Sequence, residues 1–158
     1  MEYKTIATTR FNKKTFQENK KYNSLIKSCK CIYGTPIKIK TNIPLDSHIY
    51  VLEMNNDRNK IEGIGYIVNR NIVDKNYRIY EDMDYNRYVY KGKKYLSIEN
   101  IDDKFNKYLI EVLEKLVFKG KQHCKRAQGI TELAHSILYN EFNFNFVECF
   151  DKIFKKYT

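Results

Sequence analysis

The stretch Ile49-Tyr-Val-Leu-Glu-Met-Asn-Asn-Asp-Arg-Asn-Lys-Ile-Glu-Gly-Ile-Gly-Tyr-Ile67 decides the fold class. His48 to Met54 is a compact apolar run of strand length. Asn55 to Lys60 is a polar loop, rich in residues that tolerate turn geometry. Ile61 to Val68 returns as a second strand, with Gly63 and Gly65 inside it. Glycines within a strand mark a bulge or a place where another group comes close. The centre of the chain therefore reads as a β-hairpin.

Outward from it, the pattern mixes strands and helices. Residues 10–28 are strongly polar, with apolar side chains at Phe11, Phe16, Tyr22, Leu25 and Ile26, which fits one or two short helical turns. Gly34 and Pro36 mark a turn, Ile37 to Lys40 alternate as a half-buried strand would, and Pro44 to Ser47 turn again. Tyr77 and Ile79 alternate with Arg78 and Tyr80 as a third strand, and Glu81 to Asn86 forms an acidic turn. Arg87 to Leu96 alternates once more, broken at Gly92. Ile101, Phe105, Tyr108, Leu109, Val112, Leu113 and Leu116 repeat at helical spacing, with Asn100 or Asp102 as cap and Gly120 as stop. Further helices are expected from Thr131 to Tyr139 and from Phe146 to Tyr157. The expectation is one α+β domain over 1–158, a small mixed sheet flanked by N- and C-terminal helices.

Composition narrows the class. A 158-residue chain that is 42% hydrophobic and 15% aromatic is not the composition of a disordered protein. No apolar run is long enough to span a bilayer, and the N-terminus lacks the apolar core of a secretory signal. Cys29, Cys31, Cys124 and Cys149 form no CxxC pair and read as thiols in a reducing compartment. A zinc site from Cys29, Cys31, His123 and Cys124 would need poor ligand spacings, so no metal or cofactor is expected. The abundance of Lys, Asn, Ile and Tyr follows from an A/T-rich coding sequence.

The formal net charge is +10 and unevenly spread. Residues 1–40 hold ten Lys/Arg against two Glu, and residues 119–126 hold four cations and no acid. Basic islands around a nearly neutral centre are a footprint for a polyanionic partner. The loop Lys119-Gly-Lys-Gln-His-Cys-Lys-Arg126 offers Lys119, Lys121, His123, Lys125 and Arg126 to phosphate. The segment Asp84-Tyr-Asn-Arg-Tyr-Val-Tyr-Lys-Gly-Lys-Lys-Tyr95 interleaves aromatics with cations. There Tyr85 and Tyr88 could stack bases, Asn86 could read an edge, and Arg87, Lys91 and Lys93 could hold phosphates. Glu53, Asn55 and Asn56 add a carboxylate and two amides suited to a base edge. Each feature also has a plainer reading, as solvated surface, core tyrosine or turn chemistry. His123 has neither a carboxylate neighbour in sequence nor a nucleophile motif, so no enzyme is expected; His48 and His135 sit in apolar stretches and read as core or interface residues.

The quoted hairpin resembles the strand, loop and Gly-containing strand of PUA-like folds, including the YTH and EVE domains that read modified nucleic acids. That resemblance covers about twenty residues. It implies a PUA-like sheet or barrel that binds RNA. The YTH aromatic cage uses tryptophans; this chain has none, so a cage here would be built from Tyr or Phe. A wider pattern comprises Tyr33-Gly-Thr-Pro36, Leu52-Glu-Met-Asn-Asn56, Gly63-Ile-Gly65, Tyr85-Asn-Arg-Tyr88 and Gly120-Lys-Gln-His-Cys-Lys-Arg126 with Gly129-Ile-Thr131. It resembles a protein family of large, A/T-rich DNA viruses and implies a protein acting in the cytoplasm of an infected host cell. The functional expectation is an RNA-binding module reading a modified nucleotide or an mRNA 5′ cap, with viral mRNA translation as its extension. The alternatives are a non-catalytic interaction subunit for an acidic protein partner, viral or host, and a small RNA-processing nuclease using His123.

Overall fold

The computed structural model describes residues 2–121, 123–140 and 143–158. In chain order its elements are β1 (Lys4–Phe11), α1 (Lys13–Leu25), β2 (Cys31–Thr35), β3 (His48–Asn55) and β4 (Lys60–Val68), then a short 3-10 turn (Met83–Asn86), β5 (Tyr88–Gly92), β6 (Lys94–Ser97), α2 (Lys104–Phe118), β7 (Thr131–Glu132), α3 (His135–Leu138) and α4 (Phe146–Tyr157). The protein is α+β, with one mixed five-stranded sheet in the order β6-β4-β3-β1-β7 and a separate antiparallel ribbon of β2 and β5.

β3 runs down the middle. It pairs antiparallel with β4 and parallel with β1, from Lys4 opposite His48 to Phe11 opposite Asn55. Parallel neighbours cannot be joined by a tight turn. The chain between them therefore makes a long crossover through α1 and β2. Asn12 starts α1: its side chain accepts from the Thr15 backbone N–H at 2.8 Å, and the Thr15 hydroxyl accepts from the Asn12 N–H at 3.0 Å. This reciprocal cap satisfies donors that a helix start otherwise leaves open.

Both faces of β3 are covered, which is why its sequence is a continuous apolar run instead of an alternating one. Tyr50, Leu52 and Met54 enter a core with Leu109 and Leu113 of α2 and Phe150 and Phe154 of α4. Ile49 and Val51 face a second core with Phe11 of β1 and Tyr33, Val89 and Tyr90 of the ribbon. Gly63 and Gly65 of β4 lie on that ribbon side: a methyl on Gly65 would sit 2.3 Å from the Tyr33 hydroxyl, and one on Gly63 would sit 2.0 Å from the Tyr95 hydroxyl. The two glycines make room for tyrosines.

Several sequence expectations change. β1 occupies a stretch to which the sequence assigns no element; its three threonines, Thr5, Thr8 and Thr9, are buried although their hydroxyls make the segment look polar. α1 is a 13-residue helix and not one or two isolated turns. Ile37 to Lys40 and Tyr77 to Tyr80 are not strands; the ribbon partner of β5 is Cys31–Thr35, and Tyr80 is buried alongside Tyr77 and Ile79. Thr131 begins an edge strand against β1, which leaves α3 only His135–Leu138. α2 is capped by Asp103, whose side chain accepts from Asn106 N–H, and Phe105 and Tyr108 of the expected apolar stripe stand 60% and 65% exposed. Cys29 and Cys31 line the second core while Cys124 packs against the first, across the sheet, so no zinc site unites them. No closed barrel forms among the described residues. No described helix is long and apolar enough to cross a membrane.

Candidate nucleic-acid interface

Because β1 and β3 are parallel, their carboxyl ends open at the same edge of the sheet. The chain leaves one to begin α1 and leaves the other to turn the hairpin. Between these exits lies a cleft of about 310 Å³, whose walls include Arg10, Asn12, Asn56, Tyr80, Tyr85 and Gly129. Its size falls at the lower end of the range for small-ligand sites, and the carboxyl edge of parallel strands is where such crevices gather.

Tyr85 reaches the cleft through a stack of local constraints. Asn86, buried beside it, accepts from the Ile79 and Tyr80 N–H groups at 3.1 and 2.9 Å and donates to the Tyr80 carbonyl at 2.7 Å. Asp82 caps the following turn through the Asp84 N–H at 3.0 Å. Gly34 of β2 lets this turn close on the ribbon, since a methyl there would lie 2.4 Å from the Tyr85 carbonyl oxygen. The Tyr85 ring stands edge-on to Tyr80 at 6.2 Å between centroids and is 41% exposed. Tyr80 is itself anchored by the Asn19 amide at 3.1 Å, and burial pushes its hydroxyl pKa up. The result is a rigidly mounted aromatic at a cleft mouth.

The opposite rim is tied to the basic loop. The Lys125 carbonyl accepts from Arg10 Nη1 at 3.1 Å and from Asn56 Nδ2 at 2.9 Å. Gln128 and Gly129, just beyond the loop, line the cleft. Lys119, Lys121, His123 and Arg126 are exposed and Lys125 is half-buried; Gln122 of the same loop lies outside the described residues. Arg10 has no ion-pair partner among the described residues, which leaves charge at the cleft beside the loop's cations.

A second polar cluster sits on β3 but inside the protein. The Glu53 carboxylate is 0% exposed. It accepts from Lys20 Nζ at 2.8 Å on each oxygen, from the Tyr33 hydroxyl at 2.7 Å and from the Tyr95 hydroxyl at 2.8 Å. Lys20 also lies 4.4 Å from the Tyr95 ring centroid. Burial, then the adjacent carboxylate, raise the Tyr33 and Tyr95 pKa values, and burial pushes the neighbouring Cys31 thiol up to about 12. A carboxylate so enclosed has every bonding direction taken, and it is the internal lock between sheet, ribbon and α1.

The base-reading set expected from sequence therefore divides. Asn56 and Tyr85 come together at the cleft. Glu53 is corrected to an interior ion pair. Asn55 is corrected to a turn residue: its Oδ1 accepts from Asp57 and Arg58 N–H, and its Nδ2 donates to Glu62. Asn86 is corrected to the mount of Tyr85, with its amide fully used. Tyr88 is half-buried on the ribbon with Lys38 Nζ 5.5 Å from its ring, outside the cleft. Of the expected phosphate contacts, Arg87 pairs with Asp84 at 3.2 Å, and neither it nor Lys91 nor Lys93 lines the cleft. Arg10, Asn12, Gly34 and Tyr80 belong to the cleft and were not anticipated; Arg10 and Asn12 stand where β1 hands over to a capped helix, a junction the threonine-rich strand conceals.

Among the described residues no group of three or more His, Cys, Asp or Glu could hold a metal ion. Comparison with protein-family models, with curated proteins and with solved structures finds no match to this chain.

Proposed function

We propose that the protein binds single-stranded RNA, seating one base in the cleft at the carboxyl ends of β1 and β3 and laying the adjoining backbone on the loop Lys119–Arg126. The observation that carries this reading is the physical continuity of the two: Lys125 of the basic loop is hydrogen-bonded to Arg10 and Asn56 of the cleft wall. Aromatic stacking holds a base without regard to its hydrogen-bonding edge, and cations hold the phosphates on either side. Tyr85 supplies the ring, and Arg10, Lys121 and Arg126 supply charge. The PUA-like resemblance of the hairpin supports the same class of ligand. In that reading the base is a modified one or an mRNA cap, gripped by tyrosine where other readers use tryptophan. It is a binding module with no catalytic step.

The test is fluorescence anisotropy with short RNA, DNA and duplex probes, each RNA made with and without a cap or a methylated base, at several salt concentrations. The proposal expects tighter binding to single-stranded RNA than to duplex. It also expects log affinity to fall linearly with log salt, with a slope that counts the phosphates neutralised. Equal, weak binding to all probes would overturn it.

A second reading has one observation of its own. Phe105 and Tyr108 project from α2 largely exposed, on the side of the sheet away from the ribbon. An interaction subunit would use them, and its binding would be independent of nucleotide and lost in a Phe105→Ser/Tyr108→Ser variant.

A further inference from the structure

We infer that a second pocket beside the cleft takes the nucleotide next to the seated base, with its phosphate on Lys38 and Lys40. The inference rests on the RNA reading of the cleft and adds the next step of the strand's path. The pocket measures about 380 Å³, and its walls include Ile37, Lys38, Lys40, Ile43, Gln128 and His135. It adjoins the cleft. Gln128 lines both, and the chain passes from one wall at Pro36 to the other at Ile37. Gly129 lets these segments meet: its φ is +67°, and a methyl on it would lie 3.1 Å from Ile37 Cγ1. Glu132, which also lines the pocket, stands opposite Ala7 of β1, three residues before Arg10. At about 3.3 Å per residue, Arg10 and Glu132 are about 10 Å apart along the strand, within reach of adjoining nucleotides.

The chemistry of the second pocket suits a nucleotide. Lys38 and Lys40 are exposed and make no ion pair among the described residues. Lys38 Nζ lies 5.5 Å from the Tyr88 ring, a contact that leaves its charge uncancelled. Glu132 is the one acid lining the pocket among the described residues, and donors already surround it. It accepts from the Tyr3 hydroxyl at 3.0 Å, the Thr5 hydroxyl at 2.6 Å and the Asn42 amide at 3.0 Å. Two free cations against one bonded carboxylate leave the pocket positive, and lysine meets phosphate as a point charge. Ile37, 40% exposed, offers the sugar and base an apolar wall, and the buried Ile43 and Ile130 close the floor. The alternation that made Ile37 to Lys40 look like a strand has its explanation here. Outside any sheet, it sends Ile39 into the core and Lys38 and Lys40 outward.

The experiment follows a labelled single-stranded RNA of about nine nucleotides, a length within the usual span of such sites, by anisotropy on the full chain. Three proteins are compared: native, Lys38→Ala/Lys40→Ala, and Lys104→Ala/Lys107→Ala. Lys104 and Lys107 are exposed on α2 and line neither pocket, so their loss removes the same charge elsewhere. All four lysines are exposed, and unchanged urea midpoints are expected in both variants. The Lys38→Ala/Lys40→Ala protein is expected to bind about 10-fold more weakly at low salt, with the slope of log affinity against log salt reduced by about 1–2. The Lys104→Ala/Lys107→Ala protein is expected to lose less than about 3-fold, because salt screens charges remote from the strand. No loss in the first variant, or a loss at least as large in the second, overturns this inference. The RNA reading then still stands wherever the native protein binds and Tyr85→Ala weakens it. Failure of the native protein to bind overturns the RNA reading itself, and this inference with it.

Discussion

Glu53 and Asn56 stand three residues apart at the end of one strand and meet opposite fates. Glu53 points to the ribbon side, where a lysine and two tyrosines converge on it and no bonding direction is left. Asn56 lies just past the strand, where the sheet edge opens; it lines the cleft and donates to the Lys125 carbonyl of the basic loop. The lesson concerns satisfaction, not residue type. A carboxylate ringed by tyrosines resembles a recognition site in composition, yet it is closed chemistry that fastens three elements together. A half-buried amide that ties a cleft wall to a basic loop is open chemistry.

The largest expected effect lies on the closed side. Glu53→Leu removes the acceptor shared by Lys20, Tyr33 and Tyr95, leaving the buried Tyr33 hydroxyl without its acceptor and the partly buried Lys20 ammonium without a counter-charge, held by the Tyr95 hydroxyl and ring. Breaking such a buried pair costs about 3–5 kcal/mol, and urea denaturation should show it as a lowered midpoint. A loss below about 1 kcal/mol, the scale of an exposed pair, would mean that the cluster is not a lock.

The same cluster sets an alkaline limit. Burial raises Cys31 to about 12 from the ordinary thiol value of 9.0, and it raises Tyr33 and Tyr95 above the ordinary phenol range. In this window the folded chain holds protons that the unfolded chain has released, so stability falls as pH rises. Their contribution is complete below about pH 9 and is lost progressively toward pH 12. Urea midpoints measured from pH 8 to 12 should decline steadily beyond 9; a flat profile to pH 12 would contradict the burial of these groups.

A gentler probe is Gly65→Ala. The added methyl meets the Tyr33 hydroxyl at 2.3 Å, and overpacking of this kind costs about 1–3 kcal/mol. An unchanged thermal midpoint would show that the tyrosine can step aside, loosening the contrast between the two regions. The smallest effect is expected on the open side, at the loop. Lys121→Ala should reduce the slope of log affinity against log salt by about 1 while sparing any preference among bases. An unaltered slope would detach Lys121 from the phosphate path.

Parts of this arrangement were legible in the sequence. The hairpin, the break at Gly92 between β5 and β6, and α4 over Phe146–Tyr157 follow from periodicity and turn residues. β1 did not declare itself, because threonines read as polar until their hydroxyls are buried. The ribbon did not either, because Cys31–Thr35 finds its partner more than fifty residues later at Tyr88–Gly92, and local patterns do not encode distant pairing. The cleft is harder still. It draws on residues 9–12 and 15, 34 and 36, 56, 80 and 85, and 128–129, and only folding brings them together. Tyr85 and Asn56 stood out by type, and so did Glu53, Asn55 and Asn86. What separates the two groups is whether internal donors and acceptors have already claimed the side chain, and those partners are set by the tertiary structure.

The most direct measurement is the affinity of the native protein and of Tyr85→Ala for one short single-stranded RNA, with urea midpoints recorded for both. Base–aromatic stacking contributes about 1–3 kcal/mol per base, so the account expects Tyr85→Ala to bind about 10-fold or more weakly. Its midpoint should stay within about 0.5 kcal/mol of the native value, as for other surface substitutions, because the ring is 41% exposed. Equal affinity in the two proteins, with the fold intact in both, would contradict the assignment of the cleft as the RNA site.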